Sequence, residues 1–320
     1  MSKKKDAKEN LAIENYKKLN DDFYKNYNEN YFECKLYNIL LILSDSEEYF
    51  KKNMNLELKF GKITLKNSCE TVEEKKEFIN YAKSELISTY YHCLETFIRL
   101  FISHSKLDYC PWIDIVSLSI NKYRKKLDDI IEEKYSFIKS GETIDNVLQS
   151  ILTGSIPKEQ KKYLENVKTW IHYAAIELKN ISSYNSLKHG LVNFNSHDGI
   201  KIIPDNNNVD KIFEKLGDSL KILKTVEKKN RYVYELETKF IDYDFLSLKI
   251  HIFSEMINNI IKIGKHNYMK EEVETVGTLI AGRYSYNEIL NEVLENDEKN
   301  LGQLLSNYSI ELLYYKDTNR

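Results

Sequence analysis

Apolar residues recur at spacings of three and four along much of the chain, which is the pattern of helices that bury one face. The pattern predicts helical structure over residues 11–43, with an interruption near Asn28. A long helix is predicted over 71–104, with Thr71 as its N-cap and acidic residues in its first turn. A second long apolar stripe begins at Tyr163 and predicts a helix over 163–190.

Shorter elements fill the rest of the chain. Further helices are predicted over residues 111–137, 143–152, 208–226 and 245–265, with two or three more towards the C-terminus. Pro111 suits the first turn of the helix over 111–137, where its missing N–H is not needed. Asp244 is the expected N-cap of the helix over 245–265. Alternating apolar and polar residues predict strands over 55–67, where Gly61 marks a hairpin turn, in the run that begins at Val192, and over 231–244.

These elements predict a mainly α protein, a helical bundle with one or two short β-hairpins. Only 3 Pro and 10 Gly occur in 320 residues, which favours long uninterrupted helices. The length suits one large domain or two ordinary ones. A change of pattern near residue 205 predicts a helical domain over 1–205 and an α-rich region with a short β element over 206–320.

Charge and cysteine content restrict the class of protein. Lys and Arg number 47 against 49 Asp and Glu, so a global positive field that would attract nucleic acid is absent and any such contact needs a local basic patch. The four cysteines form no CxxC pair, which favours free thiols in a reducing cytoplasm. The sequence contains no uninterrupted apolar run of about 18 residues and no secretory signal, so neither a membrane span nor export is expected.

The stretch YNSLKHGL is the strongest candidate for chemistry. On a helix, Asn185 and His189 lie four residues apart on one face, and Tyr184 and Lys188 form a second pair beside them. The same residues also fit an ordinary helix end, because a His in the last turn is favoured by the helix dipole and Gly190 suits the position after it. Both interpretations are open at the level of sequence.

The run YNSLKH resembles the short signature of the HEPN superfamily of helical nucleotide-binding and RNA-cleaving domains. That signature is an Arg, four to six residues and a His, often with an Asn directly after the Arg. Asn185 and His189 match the last two positions, and the resemblance extends over about residues 72–200. It implies a metal-independent ribonuclease without a cofactor, acting as a homodimer in bacterial stress or phage defence, with RNA or a nucleotide as its partner.

The residue at the Arg position departs from this pattern, because it is Tyr184. A tyrosine can donate one hydrogen bond but carries no positive charge, which puts cleavage in doubt. The resemblance assigns catalytic roles to His189 and Asn185 and substrate contacts to Lys188 and Tyr184. The alternative function is a non-catalytic helical scaffold that binds a protein partner. A metal-dependent hydrolase is disfavoured, and no metal site is predicted, since His92 with Glu95 is only one pair of ligands.

Arg99 could replace the missing charge. His92, Glu95 and Arg99 form a polar stripe on an otherwise apolar helix, and packing of that helix beside the 163–190 helix would offer the guanidinium to the site. Arg99 is therefore a third candidate catalytic residue, with His92 and Glu95 as substrate contacts. The alternative is a structural ion pair between Glu95 and Arg99. His104 and His251 are both predicted to be core histidines.

Overall fold

The computed structural model describes residues 11–44, 47–53, 57–66, 71–154, 161–179, 193–202, 213–228, 231–272, 276–296 and 307–311. The helices are α1 (Ile13–Asn26), α2 (Tyr31–Leu43), α3 (Glu47–Asn53), α4 (Val72–His104), α5 (Pro111–Val116), α6 (Ile120–Ile131), α7 (Ile144–Leu148), α8 (Lys161–Lys179), α9 (Tyr243–Gly264), α10 (Ile280–Arg283) and α11 (Tyr286–Asn296). The strands are β1 (Glu57–Phe60), β2 (Ile63–Lys66), β3 (Asn193–Ile202), β4 (Phe213–Lys228), β5 (Arg231–Phe240) and β6 (Asn307–Glu311). π-helical turns at Gln149–Thr153 and Lys265–Met269 extend α7 and α9.

The mainly helical fold class is confirmed, together with the β1–β2 hairpin around Gly61. The N-terminus of α4 is also as predicted. Thr71 Oγ1 accepts a hydrogen bond from the Glu74 N–H, and the Glu74 carboxylate accepts one from the Thr71 N–H. This reciprocal arrangement pairs two backbone donors that the first turn of a helix would otherwise leave unpaired.

Two predicted helix boundaries are wrong. The helix expected over 111–137 is divided into α5 and α6, because Ser119 adopts an extended conformation and its hydroxyl accepts a hydrogen bond from the Lys122 N–H as a new N-cap. The start of α9 is capped by Asp242 rather than by Asp244, since Asp242 Oδ1 accepts a hydrogen bond from the Phe245 N–H at 2.9 Å.

The helix predicted over 208–226 is also wrong, because residues 213–228 form β4. This strand pairs in antiparallel fashion with β3 on one side and with β5 on the other. Leu220 and Ile222 are buried and Leu223 is exposed, which is the alternation of a strand with one covered face. Lys, Leu and Glu favour helix locally, but pairing on both sides outweighs that preference.

The sheet has the order β3-β4-β5-β6. Strand β6 lies in a stretch where only helices were predicted, and it pairs with β5 from Glu235↔Glu311 to Lys239↔Asn307. The β content is therefore larger than the short hairpins that the sequence predicted, although helices still dominate.

The chain divides into two compact units. Unit 1 comprises Met1–Lys35, Tyr90–Ile181 and Leu248–Leu290, and unit 2 comprises Leu36–Thr89, Ser182–Ser247 and Asn291–Arg320. Each unit is built from three separate stretches of sequence, whereas the predicted boundary near residue 205 gave one continuous stretch to each domain.

The core of unit 1 is aromatic and aliphatic. Phe97 of α4 and Trp170 of α8 both pack against Phe253 of α9, with ring centroids 5.3 and 5.7 Å apart, and all three rings are fully buried. Phe101 meets Phe137 edge-on at 5.8 Å. Edge-on and tilted contacts of this kind add to the stabilisation from burial alone.

Helix α8 also binds the backbone of residues 279–286, which we call the docked segment. The Asn166 amide donates to the carbonyls of Gly282 and Arg283 at 3.0 and 3.1 Å, and the Trp170 indole donates to the Tyr284 carbonyl at 2.9 Å. The Tyr163 hydroxyl accepts from the Leu279 N–H, and the Thr169 hydroxyl accepts from the Tyr286 N–H. These bonds pair main-chain groups in and beside α10, a helix too short to pair them all within itself.

In unit 2, the first part of α4 is tied to the sheet. Lys83 Nζ forms a salt bridge with Asp218 Oδ1 of β4 at 2.8 Å and lies 5.3 Å from the centre of the Tyr243 ring. Both partners of this ion pair are partly buried, so screening by solvent is reduced.

Among the helices of the described ranges, none combines the length and the apolar character that crossing a membrane requires.

Candidate functional site

The motif predicted from sequence lies outside the described residues. His189, Asn185, Lys188 and Tyr184 all fall in the stretch between α8, whose last described residue is Lys179, and β3. The structure therefore describes the helix that precedes the motif but not the motif itself.

The apolar stripe predicted along α8 is confirmed from Val167 to Leu178, while its first residue, Tyr163, is half-buried. Its fully or almost fully buried residues recur at helical spacing and are Leu164, Val167, Trp170, Ile171, Ala174, Ala175 and Leu178. Because this face packs inside unit 1, α8 is a fixed element rather than a loosely attached one.

Arg99 and Glu95 are brought together, as a structural ion pair would require. The Nε and Nη2 atoms of Arg99 lie 2.9 and 2.8 Å from Glu95 Oε1, and Nη1 lies 3.5 Å from the Leu118 carbonyl. The guanidinium also lies 4.6 Å from the centre of the Tyr123 ring of α6. All three nitrogens of the group have a partner in unit 1, so the side chain connects α4 with the region of α5 and α6.

His92 lies on the same helix but in an aromatic setting. Its ring meets the rings of Tyr31 and Phe32 of α2 edge-on, at centroid distances of 5.7 and 5.2 Å. The predicted polar stripe thus includes one ion pair and one histidine that packs against aromatic rings. This geometry favours a structural role for Glu95 and Arg99.

A group of residues that the sequence did not indicate comes from α4, α8, α9 and α11. We call Tyr90, Tyr173, Glu177, Lys249 and Tyr286 the Tyr–Lys cluster. The hydroxyls of the first two are 2.5 Å apart, and Lys249 Nζ donates to the Tyr173 hydroxyl at 3.0 Å. The same ammonium lies 4.9 and 5.5 Å from the centres of the Tyr90 and Tyr173 rings.

The protonation of the Tyr–Lys cluster follows from burial. Desolvation is the main reason that the pKa values of Tyr90 and Tyr173 are raised well above the ordinary value, and the nearby Glu177 charge adds to the effect. Burial also raises the pKa of Tyr286, which stacks on Tyr173, to about 12. The phenols are therefore neutral hydrogen-bond donors at physiological pH. The cluster holds the Lys249 ammonium between two aromatic rings. Each cation–π contact of this kind contributes about 0.5–2 kcal/mol.

No local pattern could have revealed this cluster, since its members come from four helices. Tyr173 and Lys249 are 76 residues apart in sequence. The only signal was the abundance of tyrosine, 24 residues, which is spread along the whole chain.

The prediction that His104 is a core histidine is confirmed. It is 2% exposed, and its Nδ1–H donates to the Leu100 carbonyl, since a carbonyl can only accept. Nε2 therefore accepts the proton of the Tyr24 hydroxyl, at 2.8 Å. Burial lowers the pKa of His104 to about 4, so the imidazole is neutral in the folded protein at physiological pH.

The prediction that His251 is a core histidine is wrong. Its side chain is 42% exposed and lies between two carboxylates, with Nδ1 2.9 Å from Glu33 Oε1 and Nε2 3.9 Å from Glu255 Oε1. It occurs in an apolar run of sequence, but it faces away from the core.

The described cysteines differ in their exposure to solvent. Cys93 and Cys110 are buried thiols and Cys34 is an exposed one, and none of these three is in a disulfide. Cys110 is the N-cap residue of α5, directly before Pro111, and is fully buried. In the ranges that the structure covers, no group of three or more His, Cys, Asp or Glu side chains is arranged to hold a metal ion.

No family model, no curated protein and no solved structure matches this chain.

Proposed function

We propose that this protein binds RNA or nucleotides as a HEPN-like helical protein of the cytoplasm, and that His189 is the acid–base group in metal-independent RNA cleavage. The observation that carries the proposal is the run YNSLKH, which places Asn185 and His189 four residues apart and follows α8 closely in sequence. The buried stripe of α8 supports it, because catalytic groups work best next to a rigid element. The resemblance places this activity in stress or phage defence.

The roles of the motif residues follow from their chemistry. The His189 imidazole can accept the proton of an RNA 2′-hydroxyl and return a proton to the leaving oxygen at neutral pH. Asn185 orients that imidazole, and Lys188 supplies a positive charge for the phosphate. Tyr184 replaces the expected Arg and offers the phosphate one hydrogen bond, so the protein is expected to cleave RNA slowly.

The His189→Ala variant is expected to lose at least about 100-fold in the rate of RNA cleavage, because an acid–base side chain contributes that much or more. The rate is measured on end-labelled single-stranded RNA in the presence of EDTA, and the melting temperature is measured in parallel. His266→Ala is the matched control, since His266 is exposed and its ring bonds only to the Glu271 carbonyl among the contacts described. It is expected to keep the wild-type rate.

Equal rates for the wild type and both variants would refute a role for His189 in cleavage. A melting temperature that falls together with the activity would assign His189 to the structure instead. Because sites of this family form where two copies face each other, the wild type is also expected to sediment as a homodimer.

A second candidate function is a non-catalytic helical scaffold that binds a protein partner. The observation that favours it is the engagement of Arg99, whose guanidinium is held by Glu95, Tyr123 and the Leu118 carbonyl. The Arg position of the motif holds the uncharged Tyr184, and Arg99 is engaged elsewhere. Lys188 is then the cation of the proposed motif. A wild-type protein that cleaves no RNA in the presence of EDTA would support the scaffold over the nuclease.

A further inference from the structure

A chain of side-chain contacts runs through unit 1 from α2 to the docked segment. Glu33 of α2 lies 2.9 Å from His251 Nδ1, and His251 Nε2 lies 3.9 Å from Glu255 one turn further along α9. The second oxygen of Glu255 accepts a hydrogen bond from the Ile280 N–H at 3.2 Å. The His251 imidazole thus lies between the Glu33 carboxylate of α2 and the Glu255 carboxylate, which binds the first residue of α10.

The charge of the His251 imidazole decides whether it attracts or repels the Glu255 carboxylate. A protonated ring has two N–H donors and a positive charge, so it attracts both Glu33 and Glu255. A neutral ring keeps one N–H, which the shorter contact assigns to Nδ1 and Glu33. The lone pair of Nε2 then faces Glu255, and an attraction becomes a repulsion.

We propose that His251 is a pH-sensitive tie, which in its protonated form holds Glu255 in the position that binds the Ile280 amide and in its neutral form releases it. The side chain is 42% exposed, so it exchanges protons with solvent directly. The device therefore couples the acidity of the medium to the attachment of the docked segment.

The titratable groups near the tie on neighbouring elements include a thiol, a phenol and a guanidinium. On α4, burial raises the pKa of the Cys93 thiol well above its ordinary value, and the nearby Glu33 charge raises it further. On α8, burial raises the pKa of the Tyr163 phenol, which is near Glu255 and accepts the Leu279 N–H. The Arg283 guanidinium of α10 is close enough to this phenol for its charge to lower that pKa. Glu33 on α2 and Glu255 on α9 are the charges that face the ring.

These two carboxylates set the direction of the pH dependence. The hydrogen bond to Glu33 is the main reason that the pKa of His251 is raised above its ordinary value of 6.5. Since the charged form is favoured in the folded chain, the stability that the tie contributes is fully present below about 6.5 and is lost as the pH rises through the higher folded-state pKa.

The test follows the Ile280 amide and the His251 ring by NMR between about pH 5.5 and 8.5, a range that brackets the titration of a histidine. In the full-length wild type, the Ile280 amide shift is expected to titrate with the same midpoint as the His251 ring, above 6.5. In Glu33→Gln, which keeps the shape of the side chain, both midpoints are expected to fall together towards 6.5. In His251→Gln, the Ile280 titration is expected to disappear, and His266→Gln is the control that keeps it.

A second measurement does not depend on assigned spectra. The difference in melting temperature between the wild type and His251→Gln is expected to be largest near pH 5.5 and to shrink as the pH rises. An Ile280 shift that does not change with pH, or one that titrates equally in His251→Gln, would overturn the proposal. A melting-temperature difference that is constant across this range would overturn it as well.

Discussion

The Trp170→Ala variant is expected to lose about 3–5 kcal/mol of unfolding free energy, the range measured for large aromatic residues removed from cores. The indole is fully buried and meets Phe253 and Tyr286 edge-on at centroid distances of 5.7 and 5.3 Å. Its N–H donates to the Tyr284 carbonyl, so truncation removes a partly buried hydrogen bond as well as leaving a cavity. Urea denaturation followed by circular dichroism measures the loss.

Trp112→Ala is the matched control, because the chain has only two tryptophans. Trp112 is half-buried and stacks on Phe23 with centroids 5.7 Å apart. Its removal is expected to lower the unfolding free energy by less than about 2 kcal/mol, since less apolar area leaves water. Equal losses in the two variants would show that Trp170 does not have the central position in the core that its contacts indicate.

Gly282→Ala is expected to destabilise the protein by about 2–3 kcal/mol, in the range of overpacked cores. A Cβ at this position would lie 2.0–2.4 Å from atoms of the Tyr163 ring. The ring cannot move away freely, because its hydroxyl accepts the Leu279 N–H in a partly buried hydrogen bond. The Asn166 bond to the Gly282 carbonyl would be displaced by any shift of the backbone.

The control for this prediction is Gly277→Ala. An added Cβ at Gly277 meets nothing within 4 Å, so the expected change is within about 0.5 kcal/mol. Thermal and urea denaturation measure both variants. If Tyr163 is the obstacle, the effect of Gly282→Ala is expected to shrink in a Tyr163→Ala background, because substitutions at sites in contact are not additive. Simple additivity in that cycle would contradict this explanation.

The elements that the sequence predicted well are those that local chemistry decides. Helix α4 has an apolar stripe of helical spacing and a capping box at Thr71, and both signals lie within the segment itself. The β1–β2 hairpin has alternating residues and Gly61, whose φ of 57° lies in the left-handed region that glycine adopts most easily.

The features that the sequence did not predict depend on distant partners. The β4 stretch is helix-like by composition and becomes a strand because β3 and β5 pair with it on both sides. His251 lies in an apolar run, but its Glu33 partner is 218 residues away in sequence. Arg99 could be paired with Glu95 from sequence because the two are one turn apart, whereas its contact with Tyr123 depends on how α6 packs. The roles proposed for the motif at 184–189 remain predictions.

The bonds that hold residues 279–286 have a consequence for tolerated variation. Side chains of α8 bind main-chain atoms of this stretch, and main-chain atoms are the same for nearly every amino acid. At Arg283 and Tyr284, whose side chains are exposed and whose carbonyls are the bound groups, identity therefore matters less than at Asn166 and Trp170. A saturation library is expected to show broad acceptance at Arg283 and Tyr284 and strict selection at Asn166 and Trp170, whose side chains bind their carbonyls.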